Sequence, residues 1–452
     1  MTRAVVWFRR DLRLSDNPAL AAAARHAGPD GEVTALFCHD DRLARPAGAA
    51  RRAFLAGCLA ALDADIGGRL VVRSGRPEAV VPEVAGEVGA DAVFVAEDFG
   101  PYGRERDERV TAGLRRREAD LVRVGSPYAV PPGEVRSRAG EPYKVFTPFS
   151  RAWRTHGWPD PAPAACRVRW ARRVGGDGPP AAPPVDAELP EPGEAAAQRA
   201  ARRFLDGRLA RYADARDRPD LDATSRLSPY LKWGCLHPRQ LLAELGGSAG
   251  HDAFRTELCW REFYADVLWH RPDTVRRAFL PAMRRMEVDT GPATDEAFLA
   301  WAEGRTGYPI VDAGMRQLVA EGWMHNRVRM IVASFLVKDL HLDWARGARY
   351  FMQHLVDGDL SSNHHGWQWV AGTGTDAAPY FRIFNPVSQG ERYDPGGDYV
   401  RRWIPELRGI DGRAVHRPSE RPDGPPAGYP RPIVDHAEER AEALRRYAAV
   451  KG

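Results

Sequence analysis

The chain has 452 residues and a formal net charge of +4, with 44% hydrophobic and 28% charged residues. This length exceeds that of a usual single domain and the composition is that of a globular protein, which excludes small disulfide-stapled scaffolds, fibrous proteins and disordered chains. All but four of the 65 basic residues are arginine, but acidic residues nearly balance them. Net charge alone therefore does not indicate a nucleic-acid partner.

In the first part of the chain, apolar runs of β type alternate with helical patterns. The candidate strands are 5–8, 33–38, 70–73, 92–96 and 121–124. Asn17-Pro18 supplies a helix start, and residues 51–62 carry apolar side chains at helical spacing. This order predicts an α/β domain with a Rossmann-like parallel sheet over residues 1–128. No G-x-G-x-x-G fingerprint follows the first strand, so a standard dinucleotide site is not expected there.

The composition changes to Pro, Gly and Ala over residues 129–195, which predicts a connector between domains. Beyond it, helical stripes replace the β alternation, so residues 196–452 are predicted to form an all-α domain. Nine of the 13 tryptophans lie in this second domain. Tryptophan is usually a core residue, so the polar neighbours of these indoles decide whether they indicate a site.

Two helix faces of the second domain combine polar and aromatic side chains. Glu257, Trp260, Arg261 and Tyr264 recur at the spacing of one helix face, and residues 323–330 bring Asn, Arg and Met onto another apolar helix. Such a face can hold a structural ion pair. Because buried polar atoms need partners, two such faces also suggest a polar ligand pocket.

Hydroxyl and carboxylate groups occur at two further positions. The segment 224–228 supplies hydroxyls, an arginine and backbone amides before a helix that has a proline in its first turn, an arrangement that binds phosphate or simply caps the helix. Asp357 and Asp359 precede Trp367 and Trp369 and add acceptors near the indoles. No His or Cys at ligand spacing accompanies these carboxylates, so no metal is expected.

The five cysteines are scattered, odd in number and free of C-x-x-C pairs, which argues against a disulfide framework or a zinc site. The amino terminus lacks the apolar run of a signal peptide, and no segment has the length of a membrane span. We therefore expect a cytoplasmic protein without membrane association.

Several long motifs, in order, resemble the photolyase/cryptochrome family, most closely class I cyclobutane pyrimidine dimer photolyases of the deazaflavin-antenna type. They are WFRRDLRL at 7–14, TSRLSPYL at 224–231, CWREFY at 259–264, TGYPIVDAGMRQL at 306–318, GWMHNRVRM at 322–330 and GWQWVAGTGTDAAPYFRIFNP at 366–386. The resemblance runs nearly end to end. It implies an α/β antenna domain, a connector and an all-α FAD-binding domain, which matches the organisation predicted above.

The resemblance also assigns residues to the FAD site. The implied contacts are Tyr212, Thr224, Ser225, Arg226, Leu227, Ser228, Asp357, Gly358 and Asp359, with Arg329 as the ion-pair partner of Asp357. Asn363 would face flavin N5, where a neutral amide suits a fully reduced flavin, whereas plant cryptochromes carry an acid there. This difference favours repair over signalling.

The resemblance places the lesion pocket at Glu257, Trp260, Asn326, Arg327, Met330 and Trp369. A pyrimidine dimer must leave the duplex, stack on aromatic rings and be hydrogen-bonded at its base edges. Photoexcited reduced FAD would donate an electron to the flipped-out dimer, and Glu257 would stabilise the resulting charge. Arg261, Arg327 and Gln389 would contact the DNA backbone.

The motif His325-Asn326-Arg327 resembles the pattern of cyclobutane-dimer enzymes and lacks the histidine pair of 6-4 photolyases, so a 6-4 lesion is not the expected substrate. Three functions are considered: DNA repair, blue-light reception of the cryptochrome type, and a flavoprotein without photochemistry. We expect no extension of the kind usual in sensors, because the chain ends shortly after its core, at Gly452, so repair is preferred. We expect a monomer whose partner is damaged DNA, with no obligate protein partner.

A second chromophore is expected in the antenna domain. The segments 50–55 and 98–107 resemble members with an 8-hydroxy-5-deazaflavin, whereas folate-type members have Asn-Glu where this chain has Tyr102-Gly103. The deazaflavin type is therefore favoured over folate. Its implied contacts are Cys38, Arg51, Asp98 and Lys232.

The family's photoreduction chain has three tryptophans. Trp367 and Trp344 match the first two, but residues 270–300 contain neither Trp nor Tyr, so the surface member is missing. Either another aromatic residue serves as the surface end of this electron-transfer chain, or light-driven reduction of FAD is weak. We predict slow photoreduction of oxidised FAD.

Overall fold

The structure is a computed structural model, which describes residues 1–163, 168–176, 178–376 and 381–451. The chain divides into two compact units. The first comprises Met1–Val185, Leu189–Ala210 and Ser225–Pro272, and the second comprises Asp186–Glu188, Arg211–Thr224 and Asp273–Gly452. Each unit combines separate parts of the chain that lie close together in space. This division does not test the domain boundaries expected at 128 and 195, which stay a prediction.

The first unit contains a five-stranded parallel sheet in the order β3-β2-β1-β4-β5. The strands are β1 (Arg3–Phe8), β2 (Glu32–His39), β3 (Val71–Ser74), β4 (Ala92–Val95) and β5 (Asp120–Arg123). Central strand β1 is buried along all but its first residue, as expected for a strand covered on both faces. The predicted parallel α/β fold is thus confirmed.

Helices connect these strands and predominate in the later part of the described chain. In chain order they are α1 (Pro18–Ala27), α2 (Asp41–Ala44), α3 (Ala49–Asp65), α4 (Pro77–Val88), α5 (Pro101–Arg115), α6 (Phe146–His156), α7 (Glu194–Gly207), α8 (Tyr212–Ala215), α9 (Ser228–Trp233), α10 (Pro238–Ala243), α11 (Ala249–His270), α12 (Pro292–Ala302), α13 (Pro309–Glu321), α14 (Asn326–Lys338), α15 (Trp344–His354), α16 (Leu360–Ala371), α17 (Pro386–Tyr393), α18 (Asp398–Trp403) and α19 (His436–Lys451). The predicted start of α1 is confirmed, because the Asn17 side chain accepts from the amide of Leu20 at 3.0 Å.

The predicted connector contributes packed structure to the first unit. The backbone amides of Ala129 and Val130 and the indole of Trp153 donate to the buried carboxylate of Glu262 on α11. Phe146, at the start of α6, stacks on Trp260 with ring centroids 3.6 Å apart. These contacts fix part of the connector to the helix that carries several predicted site residues.

The second unit is helical, as predicted, and has its own aromatic core that includes Trp301, Phe335, Trp344, Phe351 and Trp367. Helices α15 and α16 approach closely at Gly347, where a Cβ atom would lie 2.2 Å from the ring of Trp367. Over the described ranges, no helix has both the length and the apolar character needed to span a membrane.

Candidate functional site

Two of the flavin-binding residues predicted in the second unit, Arg329 and Asp357, form an ion pair. Arg329 Nη2 is 2.9 Å from Asp357 Oδ2, and Nη1 is 3.3 Å from Oδ1. Arg329 Nε also donates to the carbonyl of Met324 at 2.8 Å. The Asp357 side chain is only 3% exposed, so the bidentate pair is held in place. Its role toward FAD stays a prediction.

The start of α16 positions two more of these residues. Asp359 caps the helix, because its Oδ1 accepts from the amide of Ser362 at 3.2 Å and the hydroxyl of Ser361 at 2.6 Å. One turn later, Asn363 Nδ2 donates to the carbonyl of Ala348 on α15 at 3.0 Å. Gly358 is buried between the two aspartates. These bonds fix the side chains of Asp359 and Asn363 on the helix.

The hydroxyl-rich segment 224–228 leads into α9, as its sequence predicts. Arg226 adopts a left-handed backbone conformation with φ of 51°, and Ser225 Oγ accepts from the amide of Leu227 at 3.4 Å. Ser225 to Ser228 belong to the first unit, whereas Thr224 and the buried Tyr212 belong to the second.

The lesion residues of the first unit lie on α11. Trp260 has one ring face covered by Phe146 and also contacts Tyr264, with centroids 5.4 Å apart. Arg261 donates to the carbonyls of Pro127 and Leu231 at 3.0 and 3.2 Å. The half-buried Glu257 lies one turn before both. The contact of Phe146 with Trp260 was not predicted, because nothing in the local sequence pattern around Phe146 indicates it.

The remaining lesion residues lie in the second unit. Asn326 and Arg327 begin α14, where His325 serves as the cap by accepting from the amide of Arg327 at 3.2 Å. Arg327 Nη2 is 2.8 Å from Asp217 Oδ2, and its guanidinium lies 4.5 Å from the ring centroid of Tyr393. Met330, Trp369 and Gln389 lie on α14, α16 and α17 and are partly buried. The roles of Asp217 and Tyr393 as partners of Arg327 were not predicted from the sequence.

The buried polar atoms of the second unit that have no hydrogen-bond partner among the described residues include Arg327 Nε, Trp367 Nε1, Trp369 Nε1 and Gln389 Oε1. Buried polar atoms in folded proteins are nearly always paired, so each of these atoms needs an explanation. Arg327, Trp369 and Gln389 are residues predicted to contact the lesion or DNA. A polar ligand would satisfy them.

The aromatic residues around Trp367 extend beyond the two predicted from the sequence. Trp367 contacts Phe351 and Trp301, with centroids 5.0 and 6.2 Å apart, and Trp301 contacts Tyr350 at 5.5 Å. Trp344 contacts His364 at 6.0 Å. Burial lowers the pKa of His364 to about 4, so this imidazole is neutral at pH 7.

The four predicted antenna residues all lie in the first unit. Cys38 on β2 donates weakly to the carbonyl of Gly75, and burial raises the pKa of its thiol to about 12. Arg51 is buried on α3, and Lys232 lies on α9 with its ammonium 5.7 Å from the ring of Trp233.

The fourth antenna residue, Asp98, is held by its surroundings. Its carboxylate pairs with Arg106 at 3.1 Å and accepts from the amide of Gly100 at 3.0 Å. A Cβ atom at Gly103 would lie 2.2 Å from Asp98 Cγ, so a glycine is required where α5 passes this carboxylate. The phenol of Tyr102 donates to Asp40.

The cysteines that the structure describes, Cys38, Cys58, Cys235 and Cys259, carry free thiols, with Cys58 and Cys235 Sγ 3.5 Å apart. Cys166 lies outside the described residues. Among the side chains described, no group of three or more His, Cys, Asp or Glu residues could hold a metal ion.

Comparison with known proteins connects these features to one family. Residues 4–167 match the family model of DNA photolyase, and residues 254–449 match that of the FAD-binding domain of DNA photolyase. Proteins named deoxyribodipyrimidine photo-lyase are similar over almost the whole chain. The one from Streptomyces griseus is 44% identical and covers 98% of this chain and 99% of its own. The one from Escherichia coli is 41% identical and covers 100% and 99%.

Solved structures agree with this result. A bacterial class III photolyase from Agrobacterium tumefaciens superposes with a TM-score of 0.90 at 38% identity, covering 100% of this chain and 98% of its own. An archaeal photolyase from Sulfolobus tokodaii with two FAD molecules gives 0.85 at 29% identity, covering 99% and 100%. A cryptochrome from Synechocystis gives 0.89 at 26% identity, covering 98% and 99%. The chain therefore belongs to the DNA photolyase family.

Proposed function

We propose that this chain is a deoxyribodipyrimidine photo-lyase, a light-dependent enzyme that splits cyclobutane pyrimidine dimers in DNA. Relatives of this name are about 40% identical over nearly the full chain. The structural observation that carries the proposal is the set of unsatisfied buried polar atoms at Arg327, Trp369 and Gln389. A pyrimidine turned out of a duplex exposes its Watson–Crick edge, which offers the hydrogen-bond groups that such atoms lack.

The residues proposed for FAD fit the chemistry of that group. The hydroxyls of Thr224, Ser225 and Ser228 suit phosphate, whereas Arg329 holds the carboxylate of Asp357 in place. Asp357 and Asp359 offer acceptors for ring nitrogens or ribose hydroxyls. When bound and reduced, FAD supplies an electron under illumination. Asn363 presents a neutral amide held by Ala348, so it adds no charge where a reduced flavin would be bound.

The lesion residues would hold the dimer after it leaves the duplex. The indoles of Trp260 and Trp369 offer stacking surfaces, and the carboxylate of Glu257 offers an acceptor for a base N–H. Arg327 would bind a DNA phosphate, and its ion pair with Asp217 must break before it can do so. In this arrangement the protein binds and orients the dimer, and no side chain has to form a covalent bond with it.

A photoreceptor function of the cryptochrome type is the alternative. The Synechocystis cryptochrome is 26% identical to this chain, well below the photo-lyase relatives. The neutral Asn363 and the lesion residues on α11 and α14 also favour repair. Under the repair proposal, damaged DNA is the partner. We also propose that the protein is a monomer and that it is located in the cytoplasm.

The proposed second chromophore is an 8-hydroxy-5-deazaflavin bound by Cys38, Arg51, Asp98 and Lys232. The presence of all four residues in the unit that contains the sheet supports this proposal. Extraction of the purified protein, expressed in a host that makes deazaflavin, tests it. Recovery of deazaflavin in wild type and its loss in Lys232→Gln are expected. Recovery of a folate instead would contradict the proposal.

A Glu257→Ala variant tests the role of the lesion pocket. The variant should keep its FAD and lose most of its repair yield per absorbed photon, because the dimer loses an acceptor. Glu244→Ala removes an exposed carboxylate at the end of α10 and serves as the control. Equal repair yields in all three proteins would refute this role of Glu257.

A further inference from the structure

A cavity of about 370 Å³ opens in the second unit, within the range of small-molecule sites. The start of α15, the end of α14, the C-terminal helix α19 and the segment 276–288 form its walls. Its apolar wall includes Met283, Met286, Leu342, Trp344 and Phe381. Apart from Trp344, these are residues to which the proposed function gives no role.

Among the charged residues that line the cavity, arginines outnumber carboxylates. Arg284 pairs with Asp273 at 3.0 Å, and Arg446 pairs with Asp289 at 2.7 Å. Within the part of the chain that the structure describes, the side chains of Arg276 and Arg277 make neither an ion pair nor a hydrogen bond.

The two acidic residues of the lining are engaged elsewhere. Glu287 lies 3.3 Å from Arg445, and Asp343 accepts from the amide of Ala345 at 3.0 Å. Neither carboxylate contacts Arg276 or Arg277. Among the described residues, the guanidinium groups of Arg276 and Arg277 therefore have no carboxylate partner in direct contact beside the apolar wall.

The backbone that carries these two arginines is fixed by buried hydrogen bonds. Gln368 Nε2 donates to the carbonyls of Thr274 and Arg277 at 2.7 and 3.3 Å, and its Oε1 accepts from the amide of Phe279 at 2.8 Å. The His365 ring is 2.9 Å from the hydroxyl of Thr274. The backbone of this site therefore loses little conformational freedom on binding, whereas the exposed side chains of Arg276 and Arg277 are ordered by the ligand.

We propose that this cavity binds a small aromatic anion. The ring would lie against Trp344 and Met283, because an aromatic wall favours a flat apolar body. The carboxylate or sulfonate would be bound by Arg276 and Arg277, whose forked donors match such groups. The proposal does not rest on the repair function, since it needs neither FAD nor DNA.

Isothermal titration of the full-length protein with 1-naphthoate and with its uncharged analogue 1-naphthamide tests this site. We expect 1-naphthoate to bind at least about tenfold more tightly, a difference of about 1.4 kcal/mol. In Arg276→Gln/Arg277→Gln this preference should disappear. Arg115→Gln/Arg116→Gln removes two consecutive exposed arginines of the first unit and should leave it unchanged.

A second variant tests the cavity itself. Ala345 is half-buried and lines the cavity in the first turn of α15, so Ala345→Trp should fill the space and abolish binding of 1-naphthoate. Circular dichroism confirms that each variant is folded. No binding of 1-naphthoate to wild type, equal affinity for the two compounds, or unchanged binding in the arginine or Ala345 variants would each overturn the proposal.

Discussion

Arg327, a predicted DNA contact, is already paired in the protein: its Nη2 lies 2.8 Å from Asp217 Oδ2. The two side chains are 16% and 34% exposed, so solvent weakens the pair without removing it. A phosphate that binds Arg327 must compete with Asp217. If Arg327 contacts DNA as predicted, the pair should limit the affinity of this surface for DNA.

Asp217→Asn should strengthen binding to undamaged DNA. Partly exposed ion pairs contribute about 0.2–1 kcal/mol, so the expected gain is between about 1.4-fold and about fivefold at low salt. The slope of log affinity against log salt concentration should become steeper by about one, because one more phosphate contact forms and releases one more counterion. Fluorescence anisotropy with an undamaged duplex measures both quantities. Unchanged affinity and salt dependence would show that Arg327 does not contact phosphate.

Gly347→Ala should destabilise the second unit. The added Cβ would lie 2.2 Å from the Trp367 ring and 2.5 Å from Leu336 Cδ2, and such overpacking costs about 1–3 kcal/mol. FAD content should fall as well, because Asn363 is anchored to neighbouring Ala348. Gly366→Ala on α16 is the control: its Cβ meets nothing within 4 Å, so helix propensity should make it neutral or stabilising. Thermal unfolding and flavin absorbance measure both effects, and equal stability of the two variants would contradict the expectation.

Glu262 makes the stability of the first unit depend on pH. Burial raises the pKa of this carboxyl to about 7, although two backbone amides and the Trp153 indole donate to it and oppose the shift. The folded state then binds the proton more tightly than the unfolded state. The stability contributed by protonated Glu262 is full below pH 4.5 and is lost as pH rises through about 7.

Glu262→Gln should therefore reduce the loss of stability between pH 5 and pH 8. The effect is on the order of 2–3 kcal/mol. Thermal unfolding at the two pH values measures it, with the exposed Glu244→Gln as control. If both variants keep the wild-type difference between the two pH values, Glu262 is not the titrating group.

Light-driven reduction of oxidised FAD should be slow. No Trp or Tyr occurs over residues 270–300, where the family places its surface tryptophan. The structure adds Trp301 and Tyr350 as aromatic neighbours beyond Trp367, and the Tyr350 hydroxyl donates to the carbonyl of Ala302 at 3.1 Å. Illumination with an external thiol, followed by absorbance, should show residual reduction that falls further in Tyr350→Phe. Reduction as rapid as in a three-tryptophan relative would contradict this prediction.

Much of the fold follows from local sequence signals. The apolar runs mark the parallel strands, and Asn17-Pro18 marks the start of α1, because these features act over a few neighbouring residues. The pair between Arg329 and Asp357, expected from the family resemblance, is present in the structure. In contrast, the partners Phe146, Asp217 and Tyr393 come from distant segments, and no periodicity within those segments identifies them.

The compact units likewise depend on contacts that the sequence does not reveal. Proline-rich composition predicts a connector, but burial of Glu262 by Ala129, Val130 and Trp153 makes part of that segment a packed layer of the first unit. Arg261 has the spacing of a ligand-binding residue, but its guanidinium donates to the carbonyls of Pro127 and Leu231. Its contact with DNA stays a prediction.

Repair of a defined lesion tests the proposed function most directly. The purified protein, with its flavin chemically reduced, is mixed with an oligonucleotide that contains one cyclobutane thymine dimer, and matched samples are kept in blue light or in darkness. Chromatography then measures the restored thymines. We predict restoration in light and none in darkness. Dimers that remain intact under illumination, while the protein retains reduced FAD, would contradict the assignment as a photo-lyase.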